Sequence, residues 1–465
     1  MKIRKGDIAE LWIDRMASTG HGLARLDGFV IFVKGAIPGD RAMARIARRK
    51  RDYASADLLQ LIDPSPDRVQ ARCRYSGYCG GCQWQHVKYE RQLEYKREHV
   101  QDAMSRIGSL HKVPVRKVIP SGDIFGYRNK MEFSFSDRRW RLPMEYVKGE
   151  KPGDPGLGLH VPGTFYKVID IDACLLQHDT GNQILRDVKG IIAKCKLPAY
   201  SLRTHRGFWR FLVLRYSAKS DGWMVNLVTS EDRREVLSDL AQTLTKRFSN
   251  IKTVINNINT KKAAIALGER EFILTGEGYL QDRLGPFDFQ VSANSFFQTN
   301  TTAAWNLFHK VADYADLQGS ETVLDLYCGT GTIPIFLSDR AVELVGIEIS
   351  ESAVLDAKVN CDINNVGNCR FIQGDIKEVI PDLKLKPDVL ILDPPRAGIH
   401  KDILKGIMEM NVKRVVYVSC NPATMARDMA LMSENYEIRE IQPVDMFPHT
   451  HHIEAVAKMT LRLRA

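Results

Sequence analysis

The 465-residue chain has no apolar run approaching the roughly 18 residues that a membrane span needs. Its start, Met-Lys-Ile-Arg-Lys-Gly-Asp, is charged and lacks the apolar core of a signal peptide. A soluble, cytoplasmic protein with no membrane partner is therefore expected. Internal repeats are missing, and 44% hydrophobic with 26% charged residues is an ordinary globular composition, which excludes disorder and fibrous architecture. Cysteines are few, nine in all, and an odd number in a cytosolic chain is not a disulfide frame. Their roles to test are metal binding and catalysis.

What is present is charge, unevenly placed. Residues 1–130 carry 25 Lys+Arg against 14 Asp+Glu, and the remaining 335 carry 41 against 42. A basic front on a near-neutral remainder suits a polyanion, RNA or DNA first, although a solubilising imbalance would look the same.

The patterning divides the chain into three. Residues 1–60 alternate in short runs (Ile8–Ile13, Phe29–Val33, Ala42–Ile46, Ala54–Leu61) punctuated by glycines, as in an OB-like β-barrel. Arg45, Arg48, Arg49, Lys50 and Arg51 are its candidate RNA contacts. Residues 61–284 read as an α+β domain with antiparallel strands. It holds a cysteine cluster, a helix from Gln85 to about Ile107 with Leu93, Val100, Met104 and Ile107 as its buried stripe, and a long loop over 149–163. From residue 285 onward, Thr322–Leu326, Leu344–Ile347, Asn368–Ile372, Val389–Leu392 and Val415–Val418 are apolar runs separated by helix-length segments, the pattern of a Rossmann-like parallel sheet.

The first of these runs ends in Asp325-Leu326-Tyr327-Cys328-Gly329-Thr330-Gly331-Thr332. The third glycine of the dinucleotide fingerprint is absent, which disfavours a pyrophosphate. Glu348 ends the second run and suits ribose hydroxyls; Asp375, after the third, suits an adenine amino group. A nucleoside ligand without a phosphate site is S-adenosylmethionine, whose methionyl end Asp325 and the glycines would approach.

Asp393-Pro394-Pro395-Arg396 follows the fourth run and Ser419-Cys420-Asn421-Pro422 the fifth, at the strand ends where open parallel sheets bind ligands. Arg396 stands where an amino-methylating enzyme would carry a stacking aromatic. A thiolate at Cys420 could add to C6 of a pyrimidine and make C5 nucleophilic, and a base such as Glu454 would then remove the C5 proton. A lone strand-end cysteine is also a common packing residue. His449, His451 and His452 lack a cysteine or acid at matched spacing, so a metal there is disfavoured.

Phe296-Phe297-Gln298, Leu324-Asp325-Leu326-Tyr327-Cys328-Gly329, Asp393-Pro394-Pro395-Arg396, Ser419-Cys420-Asn421-Pro422 and His452-Ile453-Glu454 together resemble the RNA uracil-C5 methyltransferases that use S-adenosylmethionine. The resemblance covers nearly the whole chain, and residues 1–60 look like the TRAM barrel of the 23S ribosomal-RNA branch. It implies a class I methyltransferase domain at 285–465, Cys420 as nucleophile and Glu454 as proton-abstracting base. It also implies cofactor contacts from Gln298, Tyr327, Thr332, Glu348, Asp375 and Asp393. Tyr327 and Thr332 depart from the Phe and Asn that relatives often carry, which makes those two contacts less secure than the acids. Arg128 and Lys130 open a family-like segment that suits RNA contact as well as a surface salt bridge.

Cys73, Cys79, Cys82 and the distant Cys174 give four thiolates, whose spacing does not separate tetrahedral zinc from an iron–sulfur cluster. The resemblance implies a [4Fe–4S] cluster with a structural or RNA-positioning role. Cys195, Cys361 and Cys369 are read as structural. The expected reaction is 5-methyluridine formation in ribosomal RNA on a monomer, with the target base flipped out for attack. Rivals are the same chemistry on transfer RNA and a catalytically silent iron–sulfur RNA-binding protein. A DNA cytosine-C5 enzyme is a weaker fit, since its nucleophile follows the fourth strand.

Overall fold

A computed structural model describes residues 3–146 and 154–462. Strands β1 (Ile8–Met16), β2 (Gly22–Leu26), β3 (Phe29–Lys34), β4 (Arg41–Arg49) and β5 (Tyr53–Asp63) form a closed barrel in the order β1-β2-β3-β5-β4. Alternate residues point inward, so Leu11, Ile13, Ile31, Val33 and Ile46 make a small core while Arg45, Arg48 and Arg49 stay outside. The sequence pattern treats Gly22 as turn punctuation, but it opens β2. A Cβ there would lie 2.7 Å from both the Ala36 carbonyl oxygen and Ile13 Cγ2, so glycine permits a close strand approach.

Helix α1 (Tyr89–Arg106) follows, and its Val100, Ala103 and Met104 enter the core of the C-terminal domain rather than that of the segment around it. Ile107, expected in that stripe, is exposed. The central sheet comprises β6 (Lys130–Ser136), β7 (Arg139–Trp140), β8 (Gly156–His160), β9 (Val168–Asp170), β10 (Trp209–Ser217), β11 (Gly222–Thr229), β12 (Ile251–Ile258) and β13 (Arg270–Thr275). Its order is β13-β12-β11-β10-β6-β8-β9-β7. Two of its pairings, β11–β12 and β7–β9, are parallel, which corrects the all-antiparallel expectation. The parallel step follows from α3 (Arg234–Arg247), which carries the chain back between β11 and β12. It and α2 (Asp179–Lys194) cover one face. The loop expected over 149–163 also needs correction. Residues 149–153 of it lie outside the described residues, and Gly156–His160 is a strand paired with β6.

After the hairpin β14 (Tyr279–Leu284) and β15 (Phe287–Ser292) comes α4 (Thr301–Ala315), then the α/β domain. Its strands are β16 (Thr322–Leu326), β17 (Glu343–Glu348), β18 (Cys369–Gln373), β19 (Val389–Leu392), β20 (Arg414–Ser419), β21 (Tyr436–Val444) and β22 (Glu454–Leu461). The interleaved helices are α5 (Thr332–Leu337), α6 (Glu351–Ile363), α7 (Ile376–Asp382), α8 (Lys401–Met410) and α9 (Pro422–Met432). The order β18-β17-β16-β19-β20-β22-β21 is parallel through β20, and β22 inserts antiparallel beside it. Val389–Leu392 is buried throughout because helices cover both faces. The chain leaves β16 first to one side and later to the other, so a ligand crevice opens between β16 and β19 at the carboxyl ends of the strands.

Candidate active site

The turn after β16 is shaped by left-handed backbone: Tyr327, Gly329 and Gly331 have φ of 69°, 55° and 73°. A Cβ on Gly331 would fall 2.7 Å from the Phe371 ring, so only glycine fits. Glu348 braces this loop from the end of β17, accepting from the Gly329 N–H at 3.1 Å and the Ser350 N–H at 2.9 Å. Thr332 opens α5 with its hydroxyl 3.2 Å from that of Thr330, and Thr330 Oγ1 donates to the Phe296 carbonyl at 3.4 Å. That bond ties the Phe296-Phe297-Gln298 segment to the glycine loop. Asp375 is exposed and caps α7 through the Lys377 N–H at 2.9 Å. Burial pushes the Tyr327 phenol up to about 12, and the nearby Asp428 and Asp375 add to the shift.

Asp325 is fully enclosed, and neither carboxylate oxygen has a hydrogen-bond partner among the described residues. Burial holds its carboxyl well above the usual range, with Asp393 and Glu348 adding to the shift. An unpaired buried acid above a glycine cradle fits a cationic amino-acid moiety, and therefore fits S-adenosylmethionine. The sequence reading placed Asp325 near the cofactor without counting it among the contacts, because a strand-interior acid leaves no spacing signal.

The nucleophile and base candidates come together by strand register. Ser419 of β20 pairs with Ala455 of β22, so the next residue of one strand, Cys420, meets the preceding residue of the other, Glu454. Burial pushes the Cys420 thiol up to about 11, with the charges of Glu454 and Asp393 raising it and Arg396 lowering it. Glu454 lies well above the carboxylate range through burial and Asp393, while Arg396 opposes. Burial alone takes Asp393 up to about 7. Among the described residues, Arg396 is the cation that acts on both groups. Its carbonyl is clasped by Asn421 Nδ2 at 2.9 Å and Thr424 Oγ1 at 3.3 Å, which locks the two loops together. A cavity of about 500 Å³ in front of Cys420 is walled by Arg15 and Ser18 of the barrel, His99 and Arg106 of α1, and His451.

The loop that delivers Glu454 is held from α1. Lys96 Nζ, fully buried, donates to Asp445 Oδ1 at 2.6 Å and to the Phe447 carbonyl at 2.9 Å. Tyr89 donates to Asp445 Oδ2 at 2.9 Å, and Gln92 Oε1 accepts from the His449 N–H at 2.8 Å. Burial lowers His449 and His451 to about 4 and His452 to about 3, so these rings are neutral.

Cys73, Cys79, Cys82 and Cys174 line one cavity of about 450 Å³, shared with Arg128, Lys130, Phe296, Phe297 and Thr299. Burial raises all four thiols, Cys79 and Cys82 to about 12, and neighbouring sulfurs add to the shifts of Cys79, Cys82 and Cys174. Among the described residues no group of three His, Cys, Asp or Glu is arranged to hold a metal ion.

A glycine-loop crevice beside an opposed thiol and carboxyl suits a methyltransferase. Comparison with known proteins gives its family. The tRNA (uracil-5-)-methyltransferase family model matches residues 210–461 and the TRAM domain model residues 3–59. An uncharacterized RNA methyltransferase of Chlorobaculum tepidum is 40% identical, over 98% of this chain and 97% of its own; another, of Halalkalibacterium halodurans, is 37% identical over 99% and 98%. The crystal structure of Pyrococcus abyssi tRNA (uracil-54, C5)-methyltransferase with S-adenosyl-L-homocysteine superposes with a TM-score of 0.76 at 31% identity, over 97% of this chain and 100% of that one. The chain belongs to the RNA (uracil-5-)-methyltransferase family.

Proposed function

We propose that the protein transfers a methyl group from S-adenosylmethionine to C5 of a uridine in ribosomal RNA through a covalent bond between Cys420 and C6. The observation that carries this is the opposition of Cys420 and Glu454 across the ends of β20 and β22. Asp325, Glu348 and the glycine loop would hold the cofactor, with Gln298, Tyr327, Thr332 and Asp375 around it. When bound it supplies the methyl group.

The Cys420 thiolate would add to C6 and the C5–C6 electron pair would move onto C5; C5 would then take the methyl group as its bond to the cofactor's sulfonium sulfur breaks, leaving S-adenosylhomocysteine. Glu454 then takes the C5 proton, the C5–C6 double bond re-forms, and the Sγ–C6 bond breaks to return the thiolate. Arg396 favours the ionised forms of both groups. Asp393, poised near neutrality, orients the uracil. The flipped base enters the cavity beside Cys420, and the exposed arginines of β4 hold the phosphates.

Cys73, Cys79, Cys82 and Cys174 would ligate a [4Fe–4S] cluster. Their convergence on one cavity is the observation that supports this, since four cysteine thiolates are what such a cluster takes. The second reading is the same reaction on transfer RNA, favoured by the likeness to the Pyrococcus enzyme.

The test is incubation of anaerobically prepared protein with methyl-labelled S-adenosylmethionine and RNA lacking 5-methyluridine, followed by nucleoside mass spectrometry. Label as 5-methyluridine in ribosomal RNA is expected. Label in transfer RNA replaces the substrate, and none in either overturns the reading.

A further inference from the structure

The central domain carries a second cavity, of about 570 Å³, built entirely from residues 134–264 and separate from the catalytic strand ends. Its charged lining is one-sided. Among the described residues that line it, Arg138, Arg139, Arg141, Lys167, Arg203 and Arg210 stand against one carboxylate, Asp137, and Asp154 pairs with Arg141 at 3.3 Å. Residues 131–465 as a whole are nearly neutral, so this excess is local.

Aromatic rings lie between these cations. Phe165 is 80% exposed, Tyr146 70% and Tyr166 51%, and the Arg203 guanidinium lies 5.2 Å from the Tyr166 ring centre. Large rings left in water beside guanidinium groups are costly unless something covers them. Deeper in, Arg210 is 2% exposed, and its guanidinium lies 4.3 Å from the Tyr200 ring. The Nε of Arg210, the Nε of Arg139 and Nδ1 of His160 are buried without a hydrogen-bond partner among the described residues.

The cavity borders the cysteine cavity along two shared strands. Met131, Glu132 and Leu159 line the cysteine cavity, which reaches Phe296 and Thr299; Ser134, Phe135 and His160, further along β6 and β8, line this one. The Gly80 N–H between the cysteines donates to the His160 carbonyl at 2.9 Å.

We propose that this cavity is a second docking site for the RNA substrate. It takes an unpaired stretch whose bases stack on Tyr146, Phe165 and Tyr166 while Arg138, Lys167 and Arg203 hold its phosphates. Interleaved rings and cations are what single-stranded nucleic acid requires, since every base offers a face and every linkage a charge. The inference rests on the RNA-methyltransferase reading and adds where the RNA lies beyond the target uridine.

The test compares the intact protein with Phe165→Ala/Tyr166→Ala and, separately, Arg203→Glu, on protein-free RNA that the unmodified enzyme methylates. The replaced side chains are exposed, so thermal melting should not move. About a tenfold or greater rise in KM for the RNA is expected from the aromatic pair, with kcat and S-adenosylmethionine binding unchanged. Arg203→Glu should weaken binding and flatten its salt dependence. An unmodified enzyme that methylates no RNA refutes the functional reading instead. Normal methylation with an unaltered KM in both variants overturns this site, and leaves the face to a protein partner.

Discussion

Two sets of buried charges are treated oppositely. Lys96 and Asp445 are fully enclosed and fully paired, with Tyr89 and two backbone groups completing their hydrogen bonds. Asp325 is equally enclosed and has no hydrogen-bond partner among the described residues; burial raises Asp393 and Glu454 as well, and the charge of Asp393 adds to the shifts of Asp325 and Glu454. A satisfied buried pair holds a loop in place, whereas unsatisfied buried acids wait for a ligand or a proton. The first set braces the loop that ends at Glu454, so structure and chemistry meet there.

The comparison can be broken most sharply at the thiol. Cys420→Ala should lower methylation by about 10⁴-fold or more while leaving cofactor binding intact. Residual turnover near the unmodified rate would make Cys420 a packing residue.

Next is the ion pair. Lys96→Met leaves the Asp445 carboxylate unpaired and should destabilise the domain by about 3–5 kcal/mol, whereas Lys96→Met with Asp445→Leu should recover much of that loss. Denaturant melts of the single and double variants check this.

Asp325→Asn should do the reverse of Lys96→Met. The folded-state pKa of Asp325 is raised, so its ionisation costs stability as pH rises from the unfolded value toward the folded one. Removing it should leave melting at neutral pH unchanged or improved, while S-adenosylmethionine affinity falls about tenfold or more by calorimetry.

A smaller effect is the pH profile. With the thiol raised to about 11, the thiolate fraction grows as pH rises, so kcat/KM should climb by up to about tenfold per unit between roughly pH 7 and 9. A flat profile would mean that thiolate formation is not limiting. Smallest of all, Arg48→Ala with Arg49→Ala in the barrel should lower RNA affinity and shallow its log–log salt slope by about 1–2, with kcat unchanged.

Much of this was legible in the sequence because covered parallel strands read as apolar runs and barrel strands alternate. Legibility ended where partners lie far apart in the chain. Lys96 and Asp445 are 349 positions apart, and a lysine within a charged helix looks solvated. The Cys420–Glu454 opposition depends on β22 inserting antiparallel beside β20, which strand–helix alternation does not announce. Gly22 misled because glycine serves close approach as well as turning. Arg396 was noted for the aromatic it replaces, and its action on the thiol emerged only from the folded loop.

The most direct measurement is peptide mapping of the RNA adduct formed by Glu454→Gln with S-adenosylmethionine and an RNA the unmodified enzyme methylates. Without the base, elimination stalls after methyl transfer. The account predicts a stable adduct on the peptide containing Cys420, carrying a methylated uracil. A variant that turns over normally, or an adduct on another cysteine, would contradict it.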